Sequence, residues 1–108
     1  MAQELLNIFD EVKDLKGMVS GLLDIMAGLA VARENWKTSA WFLGIADGQY
    51  SMRDYHREPA DEQFARPIFD RTLNAMDEET YQSIYHAGER LTTDEALAEV
   101  RKELAKSD

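Results

Sequence analysis

The 108-residue sequence contains no cysteine. Disulfide frameworks, thiolate-bound metals and cysteine nucleophiles are thereby excluded. Two prolines and six glycines are few interruptions, so long stretches are open to helix formation. Basic residues are also scarce: 12 Lys and Arg stand against 21 Asp and Glu, a formal net charge of -9. Such a surface repels phosphate backbones. Arg53, Arg57, Arg66 and Arg71 are moreover interleaved with Asp54, Glu58, Asp61, Glu62 and Asp70, so direct nucleic-acid binding is not expected. A long hydrophobic run is missing too. The least polar stretch, Met18 to Ala32, contains Ser20 and Asp24 and is too short to cross a bilayer. The opening residues Met1 to Leu6 lack the basic region and apolar core of a signal peptide. A cytoplasmic protein without membrane contact is the expectation.

What is present is material for a core. Apolar residues make up 44%, which separates this chain from acidic disordered tails, and its length suits one domain over residues 1–108. Their spacing is helical nearly throughout. Leu5, Ile8, Phe9, Val12 and Leu15 recur at three- and four-residue steps, and Lys16-Gly17 ends that first helix. Met18, Leu22, Ile25, Met26 and Leu29, widened by Val19, Leu23, Ala27, Ala30 and Val31, make a second helix apolar round most of its circumference. Such a helix belongs between two neighbours, at the centre of the fold. Glu34-Asn35 reads as a turn into a third helix over Trp36 to Asp47, stopped by Gly48, and residues 48–58 form the longest loop candidate.

Pro59 suits the first turn of a fourth helix with Phe64, Ile68, Phe69, Leu73 and Met76 on its buried side. Pro67 predicts a kink or restart inside it. Asp77-Glu78-Glu79 starts a fifth helix with its dipole favourably paired; Tyr81, Ile84 and Tyr85 point inward and Gly88 closes it. Thr92 with Glu95 three residues on is a capping box for a sixth helix carrying Leu97, Val100 and Leu104. No stretch alternates as a half-buried strand does. The expected fold is all-α: five to six antiparallel helices joined by short connections.

Gly28 and Ala40 are twelve apart and Gly44 lies four further on, with Ala32 between them. This is the spacing of small residues in a tetratricopeptide helix pair, where the second and third helices would close on each other. Three stretches extend the likeness in order: Ala40-Trp41-Phe42-Leu43-Gly44-Ile45-Ala46-Asp47, the segment Pro59 to Leu73, and Tyr85-His86-Ala87-Gly88-Glu89-Arg90-Leu91-Thr92-Thr93-Asp94-Glu95-Ala96. On these, residues 18–104 resemble the C-terminal tetratricopeptide-like helical region of LuxR-type and SARP-type bacterial transcriptional regulators that carry a predicted signalling ATPase. Pro67 departs from that pattern. The DNA-binding helices are absent, and no glycine is followed by the Gly-Lys-Ser/Thr of a phosphate loop. The resemblance therefore implies a scaffold or sensor part, and neither the catalytic nor the DNA-reading part.

Candidate chemistry is sparse. His56 and His86, the two histidines, have no second histidine at helical spacing, so a metal site would rest on carboxylates common in so acidic a chain. Tyr50, Arg53, Tyr55, His56 and Arg57 form a polar cluster on the loop candidate, without an ordered nucleophile, base and orienting group. A contact surface is the better use of such a loop. Trp36 and Trp41, five apart, cannot share one helix face fully: either both pack largely in the core, or one packs inward while the other lines a groove or partner interface. The expectation is a non-catalytic helical interaction domain that takes no cofactor or metal and binds a protein partner or a second copy. Its candidate surface is Leu5, Phe9, Trp36, Trp41, Tyr50 and Tyr55. Two other readings remain: a small-molecule sensor with a pocket between the Trp36–Trp41 and Phe64–Phe69 helices, and an enzyme built round His56 or His86.

Overall fold

A computed structural model of the chain describes residues 18–52, 57 and 59–106. Five α-helices follow one another among these residues, with no strand: α1 (Met18–Ala32), α2 (Trp36–Met52), α3 (Pro59–Ala75), α4 (Glu78–Glu89) and α5 (Thr93–Lys106). The all-α expectation holds. None of these helices is long and apolar enough to cross a membrane. The helix expected over Leu5 to Leu15 lies outside the described residues.

The centre belongs to α2 and not to the broadly apolar α1. Ser39, Ala40, Phe42 to Ala46, Gly48 and Gln49 are all buried, a run that covers every face of the helix. Its small residues explain this, because neighbours can close on it from opposite sides. At Gly44 an added Cβ would overlap the backbone carbonyl of Tyr85, and at Gly88 it would lie 2.7 Å from the Trp41 carbonyl oxygen. These glycines thus let α2 and α4 meet at backbone distance. Gly28 instead faces the Phe64 and Ile68 side chains of α3, and Ala32 is exposed, so the expected small-residue seam between α1 and α2 is not formed. Around α2, the fully buried Leu23, Phe42, Leu43 and Ile45 each contribute about 1.5–3 kcal/mol relative to exposure. Ala96, Val100 and Leu104 of α5 complete the core.

Local signals set the boundaries. The α1–α2 turn is a Schellman motif: the Asn35 N–H donates to the Ala30 carbonyl at 2.8 Å and the Glu34 N–H to that of Val31 at 2.9 Å. Glu34 occupies the left-handed position at φ 56°, where glycine is usual. At the start of α5 the capping box closes both ways, Thr92 N–H to Glu95 Oε1 at 2.9 Å and Glu95 N–H to Thr92 Oγ1 at 3.2 Å. Asp77 caps α4 by accepting from the Thr80 N–H at 2.9 Å.

Three expectations about breaks and burial are corrected. Gly48 does not stop α2, which continues to Met52, because that glycine is needed against Glu89 of α4. Gly88 does lie at the close of α4, one residue before its end, and is also pressed on α2. Pro67 does not interrupt α3; it and Gln63, whose carbonyl it leaves unbonded, share the exposed side. The inward side of α3 is Ala65, Ile68 and Thr72, which leaves Phe64 and Leu73 exposed.

Candidate functional site

The first candidate is an ion cluster under the α2–α3 connection. Arg57, the described residue of that connection, reaches inward until its side chain is 10% exposed. Its Nε and Nη2 donate to Asp24 Oδ2 and Oδ1 at 2.9 and 2.7 Å, and Nη1 donates to Asp47 Oδ1 at 2.6 Å. The guanidinium carbon also lies 4.7 Å from the centre of the Tyr50 ring and 5.4 Å from that of Phe69. The Tyr50 hydroxyl donates to Asp24 Oδ2 at 3.4 Å, and that of Tyr85, stacked on Tyr81, donates to Asp47 Oδ2. One guanidinium thus ties α1, α2 and the loop together, while α4 braces Asp47.

Burial raises the pKa of the Asp24 carboxyl, against the hydrogen bond and charge of Arg57. Burial works against the Arg57 cation too, but the hydrogen bond and charge of Asp24, joined by Asp47, outweigh it and hold the guanidinium ionised. Burial first, then the charge of Asp24, pushes the Tyr50 hydroxyl up to about 12; burial and Asp47 do the same to Tyr81. All four carboxylate oxygens of Asp24 and Asp47 accept a hydrogen bond. The cluster thus acts as a clasp that joins α1, α2 and α4 through Arg57 and Asp47.

The second candidate is open. Between α1 and α3 runs a groove of about 360 Å³ walled by Ile25, Gly28, Leu29, Phe64, Pro67 and Ile68, with Arg71 at its edge. Ile25 is 45% exposed and Phe64 50% exposed. Both side chains stand on the rim of the groove, which makes it a candidate contact surface. A smaller groove, about 280 Å³, separates α2 from α5 and is lined by Lys37, Trp41, Ile84, Glu99 and Lys102.

The residues singled out in the sequence do not converge. Tyr50 belongs to the ion cluster. Trp41 is half-buried and its Nε1 donates to Glu99 at 2.9 Å, fastening α2 to α5. Trp36 is half-buried too, with the Arg71 guanidinium 5.9 Å from its ring centre. Both tryptophans pack on the core. Leu5, Phe9 and Tyr55 lie outside the described residues, as does His56. His86 is exposed and its Nδ1 lies 2.5 Å from Glu89 Oε1 one turn on. No group of three or more His, Asp or Glu among the described residues is arranged to hold a metal.

Between the tryptophan helix and the Phe64–Phe69 helix, the buried Ser39 and Thr72 hydroxyls meet at 2.7 Å, while Phe64 lines the groove toward α1. Sequence reading passed over Asp24, Asp47 and Tyr85 as cluster members. A signal for Asp24 was available: a lone acid within an otherwise apolar helix needs a buried partner.

With this geometry established, comparison with known proteins adds no relative. No protein family matches the sequence, and no curated protein or solved structure is similar to it.

Proposed function

We propose that this chain is a non-catalytic helical domain that acts by protein association, self-association included, through the face formed by α1 and α3. The observation that carries the reading is the α1–α3 groove, where Ile25 and Phe64 stand half in water on either side of an apolar trough. The structure can afford that exposure in a partnered state; alone, it leaves surface whose burial would contribute about 25 cal/mol per Å². The tetratricopeptide-like character and the link to the C-terminal helical region of LuxR- or SARP-type bacterial regulators rest on the three sequence stretches given above. In that setting the domain is a cytoplasmic scaffold, needing no cofactor and touching neither nucleic acid nor membrane.

Light scattering across a concentration series tests the reading. The expected outcome is a mass that rises above the monomer with concentration and returns to it in Phe64→Asp and Ile25→Asp. A strict monomer at the highest concentrations, unchanged by either substitution, would overturn it.

A further inference from the structure

The groove between α1 and α3 is apolar along its length and cationic at one edge. Arg71 is its single charged lining residue, and although the guanidinium lies over Trp36, it meets no carboxylate among the described residues. A complementary occupant has a strip of apolar side chains and an acidic group beside one end of that strip. The groove follows α1 from Ile25 to Ala32, about 10 Å at helical rise, which suits about two turns of helix.

This chain carries a segment of that chemistry. Leu5, Ile8, Phe9 and Val12 recur at helical spacing, and Glu4, Asp10, Glu11 and Asp14 flank them. We propose that two copies associate by exchange, residues 4–14 of each docking in the α1–α3 groove of the other with an acidic side chain on Arg71. The inference rests on the association reading above and adds to it the docking segment and the charged contact. Exchange of one segment for one groove closes after two copies, because the same pair of contacts is made twice about a two-fold axis. It also places acid against arginine where two chains of net charge -9 otherwise repel.

The test titrates a fluorescent peptide of residues 1–17 into the full chain and follows anisotropy. A second peptide replaces Glu4, Asp10, Glu11 and Asp14 by their amides. The acidic peptide is expected to bind the unmodified chain, to lose about tenfold or more affinity for Phe64→Asp, and to lose several-fold for Arg71→Gln. The amide peptide is expected to bind weakly and to ignore Arg71→Gln, which isolates the charged contact from any loss of fold. Circular dichroism checks that both exposed substitutions leave the helices intact. No binding of the acidic peptide, or equal binding with and without Arg71, overturns the proposal. Light scattering of the full chain separates the two levels. A dimer broken by Phe64→Asp but not by Phe9→Asp refutes the docking segment alone, whereas a strict monomer refutes association as well.

Discussion

The two sides of α1 invert the usual distribution of polar and apolar groups. On one side Asp24 is 2% exposed, sealed with Arg57, Asp47, Tyr50 and Tyr85; on the other Ile25, the next residue, is 45% exposed. The buried charges are tolerated because every polar atom is answered: no buried side-chain nitrogen or oxygen among the described residues lacks a partner. The exposed apolar groups, Ile25 and Phe64, stand at the open α1–α3 groove. Stability is therefore expected to be concentrated in the closed side, and association in the open one.

Removing Arg57 is the most severe way to break that contrast. Arg57→Ala leaves the buried Asp24 and the half-buried Asp47 without their shared cation, and a loss of about 3–5 kcal/mol is expected in urea unfolding. A small loss would mean that the cluster is solvated. Next comes Gly44→Ala, which drives a Cβ into the Tyr85 carbonyl and separates the helices carrying Asp47 and Tyr85. An overpacking cost of about 1–3 kcal/mol is expected, measured as a lower unfolding midpoint. Thr72→Val removes the partner of the buried Ser39 hydroxyl and is expected to cost about 1–3 kcal/mol, while the Ser39→Ala, Thr72→Val pair costs less than that single change.

Alkaline titration sharpens the comparison further. Tyr50 and Tyr81 ionise near 12 in the fold against an ordinary 10.0, so the unfolded chain gives up those protons first. Their contribution to stability is fully present below about pH 10 and is lost as pH rises toward 12. Tyrosinate absorbance and helical circular dichroism should change together in that window; a full tyrosinate signal near pH 10 with helicity retained would contradict the burial of these rings. The smallest expected effect on stability is that of Phe64→Ser, within about 0.5 kcal/mol, since its ring is half in water already. The same substitution is expected to have the largest effect on association measured by light scattering.

Much of the local structure could be read before any coordinates. The capping box at Thr92 and Glu95, the start of α3 at Pro59 and the turn at Glu34-Asn35 depend on contacts within a few residues, and each is where its pattern placed it. Gly48 and Pro67 were misleading for one reason. Their effect depends on which side of the helix they occupy: Gly48 is held against Glu89, and Pro67 faces water. Of the candidate surface, Tyr50 was visible as a polar aromatic beside charged neighbours, but its hydrogen-bond partner Asp24 is 26 residues away along the chain.

The sequence by itself determined an all-helical chain, its caps and its acidic charge, because helical periodicity and capping are properties of neighbouring residues. Only the tertiary structure decided that α2 occupies the centre, that Arg57 clasps two aspartates, and that Phe64 opens toward α1. These outcomes depend on which helix faces approach most closely. Small residues at 44, 48 and 88 set that approach, and their effect exists only once the helices have met.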